Sequence, residues 1–192
     1  MPRPETTIPY LPDGVIGQEP PPASPRPAWV IVLLFAAVFA VLQTAWWSVR
    51  DTAIERAVIH TATVRPAAAI VDWIDPALGA RARGATIEAR GGGLNVLRGC
   101  EGVEILFLLA AALVAVPLGW RRRAAGLLLG AALVFCLNQA RIVALFFAWR
   151  IDRAVFEALH SLVLPALLVV AVTLFVHALA GMQPRVAPTA DA

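Results

Sequence analysis

Residues 124–150 read AAGLLLGAALVFCLNQARIVALFFAWR, and this stretch decides the fold. At about 1.5 Å per residue it is long enough, as a helix, to cross the roughly 30 Å hydrocarbon core of a bilayer. Three other apolar runs flank it, at residues 28–49, 103–120 and 161–182. The chain therefore reads as an all-α integral membrane protein with about four transmembrane helices, at about 28–49, 103–120, 124–147 and 161–182. Asn138 and Gln139 mark where the third helix could break. Composition agrees with the runs. Of the 192 residues 59% are apolar and 15% charged, against about 25% charged in soluble domains, which wet their whole surface. A disordered chain, a collagen, a coiled coil and an ordinary soluble domain are excluded.

Outward from the spans the chain becomes polar. Residues 1–27 hold nine of the fifteen prolines, including Pro20-Pro21-Pro22, and read as a disordered cytoplasmic tail. They are no signal peptide, because the apolar run that follows is too long and no small-x-small site closes it. Residues 28–182 form the membrane domain and 183–192 a second cytoplasmic tail. Trp46 and Trp47 near the end of the first run suit an interfacial belt. All sixteen basic residues are arginine. The triplet Arg121-Arg122-Arg123 lies between two spans in a very short loop, where the positive-inside rule is strongest. That places it in the cytoplasm, and parity puts residues 50–102 outside. Seven arginines from Arg50 to Arg98 oppose this, but long loops cross largely regardless of charge.

The outer segment, 50–102, has structure of its own. Helical spacing through Ile54, Ala57, Val58 and Thr61 predicts a helix over 51–63, and 66–78 predicts a second. Residues 85–90, the turn Gly91-Gly92-Gly93 and residues 94–97 predict a hairpin leading into Gly99-Cys100.

Three side chains converge on that outer face by hydropathy and parity. Cys100 precedes the second span, His160 precedes the fourth, and Arg141 lies about 25 Å up a helix that begins inside. A thiolate can attack a carbonyl, an imidazole can accept and return its proton, and a fixed cation can hold an oxyanion. Cationic neighbours also raise the thiolate fraction. Each residue has a plainer reading. A lone cysteine near a span is usually a small hydrophobe, and a lone histidine an interfacial residue. An arginine inside an apolar run is costly and marks function by default, with snorkelling as its alternative.

The flanks sharpen the case. Asn95-Val-Leu-Arg-Gly-Cys100-Glu-Gly-Val-Glu104 and Asn138-Gln-Ala-Arg141-Ile-Val-Ala-Leu145 resemble the exosortase/archaeosortase family of membrane transpeptidases. A Gly-Cys-x-Gly setting before one helix, Asn-x-x-Arg-Ile near the end of the next and a His opening the one after carry the resemblance. It covers about residues 84–182 and looks like a compact type such as exosortase H, although Glu101 departs from the small polar residue expected after the cysteine. The resemblance implies a bacterial inner-membrane, multi-pass cysteine peptidase with its site on the extracytoplasmic face and no cofactor. Its substrates would be secreted proteins ending in a motif, a transmembrane helix and a basic tail. They would be cut through a thioester acyl-enzyme and passed to a surface acceptor. By this carry-over Cys100 is the nucleophile, His160 the proton-transfer residue and Arg141 the oxyanion or substrate-carboxyl stabiliser.

Weaker candidates surround these. Asn138, one turn before Arg141, could orient it or simply bond between helices. Glu104 and Glu157 could orient the imidazole, against the plainer reading of solvated carboxylates. Cys136 reads as packing, and His60 and His177 as structural. No C-x-x-C, H-x-x-x-H, Gly-x-Ser-x-Gly or phosphate-cradling glycine loop is present, so no metal, redox, serine-protease or nucleotide site is expected. Nucleic acid is not an expected partner; the lipid bilayer is. The rival reading is a small non-enzymatic membrane scaffold, which would tolerate loss of Cys100.

Overall fold

A computed structural model describes residues 27–182; the tails expected at 1–27 and 183–192 lie, Pro27 aside, outside the described residues. Helix α1 (Ala28–Ser48) is apolar on every side and buries none of its residues, as a helix facing lipid should. It leans on α4 (Val103–Ala115), where Trp46 meets Phe107 edge-on at 6.5 Å and Gln43 Nε2 donates to Glu104 Oε1 at 3.3 Å. Among the described residues three helical runs are long and apolar enough to cross a membrane, and α4 is a shorter apolar helix. The all-α membrane reading stands.

Helix boundaries differ from the hydropathy runs for identifiable reasons. Pro117 has no N–H to continue a helix, so α4 ends at Ala115 instead of running on to Trp120. Trp120 and the arginine triplet then form the first turn of α5 (Trp120–Ile151). Arg123 reaches back, donating from Nε to the Leu113 carbonyl at 2.9 Å and from Nη2 to the Val116 carbonyl at 3.4 Å. The Leu113 carbonyl is the one that Pro117, having no N–H, leaves without its helical donor, while Val116 also accepts the Leu118 N–H at 2.8 Å. Helix α5 is unbroken at Asn138, because the Asn138 and Gln139 amides bond to neighbouring segments and leave the backbone ladder intact. The last apolar run begins earlier than residue 161. Helix α6 (Arg153–Ala158), a wide π turn (Leu159–Val163) and α7 (Leu164–Gly181) make one helical run, with Pro165 at the junction.

The bundle core lies where α4, α5 and α7 meet, around Leu109, Leu113, Val134, Val172 and Val176. Gly126 and Gly130, one turn apart on α5, allow this approach. A Cβ on Gly130 would come within 2.6 Å of Leu109 Cδ2, and one on Gly126 within 2.5 Å of Leu179 Cδ2.

Residues 50–102 fold as a cap on the other end of α5. The two helices expected there join into one continuous run: α2 (Ala53–Arg56), a π segment (Ala57–Val64) and α3 (Arg65–Ile74). Pro66 lacks the N–H that would meet the Ala62 carbonyl in an α-helix, and Gln139 Nε2 of α5 reaches that carbonyl at 3.5 Å. The expected hairpin is present with one strand more. Strands β1 (Arg81–Arg83), β2 (Thr86–Glu88) and β3 (Leu94–Asn95) make an antiparallel sheet in the order β1-β2-β3. Thr86 pairs with Asn95 and Ile87 with Leu94. Arg150, at the end of α5, fixes the glycine turn by donating from Nη2 to the Arg90 carbonyl at 2.8 Å and from Nη1 to Gly92 at 3.3 Å. Ile59, Val64, Val71, Ile87 and Val96 pack with Ile142 and Phe146 of α5 into a second core.

Candidate active site

The segment from Val96 to Gly102 carries the cysteine between the two cores, and both sides hold it. Val96 N–H donates to the Ala85 carbonyl at 2.8 Å, the last rung of the sheet. Arg98 then crosses to the start of α2. Its Nε donates to Glu55 Oε1 at 2.7 Å and its Nη2 to Asp51, while Glu55 also accepts the Asp51 backbone N–H at 2.6 Å. That backbone donor and the Arg98 guanidinium hold the Glu55 carboxyl below its ordinary range, and the two carboxylates raise Arg98 in turn.

A turn follows, closed by Cys100 N–H on the Leu97 carbonyl at 3.1 Å. Asn138 Nδ2 on α5 donates to the Cys100 carbonyl at 3.2 Å. Gly102 starts α4 at φ +81°, and a Cβ there would lie 2.8 Å from Asn138 Cγ. Only glycine permits both the left-handed backbone and that approach. The loop is thereby pinned against α5 one turn below Arg141.

Cys100 Sγ then stands 3.9 Å from His160 Nδ1 and 3.8 Å from Arg141 Nη2. The thiol thus touches both of the other residues that parity placed on its face. These separations are long for hydrogen bonds, as is common in sites without substrate. Phe156, one turn before His160, stacks on the imidazole with centroids 5.4 Å apart and planes 5° from parallel, fixing the ring's plane. Arg141 is only 7% exposed, and its Nε has no partner. Asn138, 2% exposed, keeps a free Oδ1, and buried Glu101 a free Oε2. Buried polar atoms are rarely left so, and the cluster is rich in capacity that the folded chain does not use. A pocket of about 120 Å³ opens on the thiol between residues 94–97 on one side and Ile142, Leu145, Phe156 and His160 on the other.

Burial pushes the Cys100 thiol above its ordinary range; Arg141 opposes that shift, and the carboxylates of Glu101 and Glu104 add to it.

The remaining candidates fall elsewhere. Glu104 bonds to Gln43 of α1, and Glu157 pairs with Arg153 at 3.0 Å on the surface, so neither carboxylate bonds to the imidazole. Cys136 is exposed on α5. His60 lies near Gly84 in the cap, and His177 lines an apolar cavity among α1, α4 and α7. Among the described residues no three His, Cys, Asp or Glu side chains gather as metal ligands would. Sequence reasoning missed Phe156, although its spacing of four residues from His160 on a helical stretch is a readable signal. It also missed the Arg98–Glu55 clamp, for which a separation of 43 residues gives no local signal.

A polytopic helical membrane protein with a Cys, a His and a buried Arg at one end of its bundle has the groups that thiol-based acyl transfer needs. Comparison with protein families makes the class specific. The family model for transmembrane exosortases matches residues 26–177, and the chain belongs to that family. The match begins at the foot of α1, far upstream of the residues that carry the motif resemblance. No curated protein and no solved structure matches the chain. Membership supports, in general terms, a membrane transpeptidase or sorting role.

Proposed function

We propose that this chain is a cysteine transpeptidase that removes the C-terminal sorting signal of secreted proteins and transfers them, through a thioester, to a surface acceptor. The observation that carries this reading is the contact of one thiol with both an imidazole and a buried guanidinium at the mouth of a pocket. His160 takes the Cys100 proton as sulfur attacks the scissile carbonyl. The oxyanion so formed meets the Arg141 guanidinium, whose unpartnered Nε leaves a donor free for it. Collapse of the adduct breaks the C–N bond, and the leaving amine takes the proton from His160. The acceptor nucleophile, or water, then gives its proton to His160 and attacks the thioester, and sulfur leaves to recover its proton. Asn138 holds the Cys100 carbonyl and so fixes where the thiol sits. Glu104 acts at a distance, fastening the start of α4 to α1. The substrate's own transmembrane helix docks from the bilayer, its basic tail on the cytoplasmic side of a bacterial inner membrane. The site faces outward.

The test is processing of a secreted protein with a motif, transmembrane helix and basic tail, followed in the native host. Cys100→Ala should leave the tail uncut, while Cys136→Ala should cut normally. Normal cutting by Cys100→Ala removes the cysteine mechanism and leaves the scaffold reading in its place.

A further inference from the structure

Residues 94–97 form one wall of the thiol's pocket, and their backbone has a free edge. Strand β3 is the last strand of its sheet, paired with β2 alone. The ladder fixes which backbone groups are used. Val96 N–H bonds to the Ala85 carbonyl, so the Val96 backbone faces β2, and by alternation Leu94 does as well. Asn95 and Leu97 therefore turn their N–H groups and carbonyls away from the sheet. The Leu97 carbonyl accepts Cys100 N–H in the turn. Asn95 N–H, the Asn95 carbonyl and Leu97 N–H are left as a row of donor, acceptor and donor.

The pocket borders this edge. A cavity against one face of a strand touches every second residue, because side chains alternate. This one touches Leu94, Asn95, Val96 and Leu97 in succession and ends at Cys100. Its far wall is apolar, from Ile142, Leu145 and Phe156. Natural sheets seldom leave such an edge open beside an apolar groove, since it invites pairing with another chain.

Resting on the transpeptidase reading, we infer that the enzyme holds its substrate as a fourth strand. The residues preceding the scissile bond lie extended along β3 and bond to the backbone of Asn95 and Leu97. One side chain enters the pocket between Ile142, Leu145 and Phe156. A cavity of about 120 Å³ takes a side chain of moderate size, since one of about 150 Å³ holds benzene. Backbone pairing supplies affinity that does not depend on sequence, and the single pocket supplies selection. Strand addition also fixes the depth at which the chain crosses Sγ, because the rungs set register. The occupant is thus an extended peptide segment, presented just outside the membrane, with proline admitted only where its missing N–H would point away from β3.

The test replaces edge donors without touching the ladder. Asn95→Pro removes one free-edge N–H, and proline is tolerated on the open side of an edge strand. Ala82→Pro does the same on the outer edge of β1 and serves as the control, since Ala82 pairs with Ile87 where the β2 backbone faces β3. Both are assayed for processing of the tail-bearing secreted protein and for alkylation of Cys100 by iodoacetamide, which needs no peptide binding. Asn95→Pro should cut processing by about tenfold or more with alkylation unchanged, while Ala82→Pro processes as wild type. Equal processing by Asn95→Pro overturns strand addition and leaves the cysteine mechanism, which Cys100→Ala tests separately, standing. A second arm does not depend on the enzyme variant folding. Single prolines placed in turn through the substrate segment before its transmembrane helix should block cutting at every second position. Blocking without that period, or none at all, overturns the inference.

Discussion

The two cores of this protein are built on opposite terms. The bundle core is formed by leucines and valines and closed by glycines on α5. The cap core is thin, made largely of alanine, valine and isoleucine, and it depends on α5 for its floor. Polar bonds supply what its small side chains do not: Arg150 on the glycine turn, Gln139 on the Ala62 carbonyl, and Arg98 on Glu55. The thiol sits at the seam. Its loop leaves the sheet of the cap, and the guanidinium and imidazole that meet it come from bundle helices. The bundle thus supplies the charge, and the cap supplies the position of the thiol.

Removing the bundle's contribution should have the largest effect. Arg141→Gln keeps much of the side chain's length and deletes the cation proposed to meet the oxyanion. Single-turnover processing should fall by about a hundred- to a thousandfold, with Arg141→Lys recovering only part, because an ammonium lacks the forked donors. Near-normal rates in Arg141→Gln would show that the cation is structural, and the division between charge and position would fall with it.

The next test sets one core against the other. Ile87→Ala empties a fully enclosed site under the sheet and should destabilise the cap by about 2–5 kcal/mol. Amide exchange in residues 81–97 should rise, and processing should fall in step with it. Leu109→Ala does comparable damage between α4 and α5, where the glycine contact lies. It should lower the melting temperature in detergent while molecules that remain folded cut at the wild-type rate. If Leu109→Ala impairs cutting by folded enzyme as much as Ile87→Ala does, the cap has no special part in placing the thiol.

The sequence made these two regions legible to different degrees. Lipid requires long apolar runs, so α1, α5 and the last helix are visible in hydropathy, and sidedness alone put Cys100, Arg141 and His160 on one face. Arg141 stood out because an apolar run gives a charge no cheap place. Pro117 was a readable sign that α4 stops short, but the run of Val, Leu and Gly around it hid the stop. The cap was harder. Its alanines carry little periodic signal, and its continuous helix passes through Pro66, which ordinarily separates helices. The extra strand β1 is three exposed residues, Arg81 to Arg83, with no hydrophobic alternation. Its clamps join residues tens of positions apart, and only folding brings those together.

Ionisation of the thiol measures the seam itself, and the effects there are the smallest. Burial raises the Cys100 thiol, the Arg141 cation lowers it, and the carboxylate of Glu101 raises it further. Only the thiolate reacts with iodoacetamide, so the alkylation rate traces deprotonation. With Cys136→Ala as background, leaving one thiol, the rate should climb with pH to a midpoint above that of an ordinary cysteine. Glu101→Gln removes a like charge from beside the sulfur and should move the midpoint down. Arg141→Gln removes the opposing charge and should move it up. The pair separates the two regions, since Glu101 belongs to the loop that the cap positions and Arg141 to the bundle. A midpoint that follows Arg141 but ignores Glu101 would mean that the loop only places the thiol. A midpoint that follows both means that the residue after the cysteine, as well as the cation of the bundle, sets the ionisation of the resting thiol.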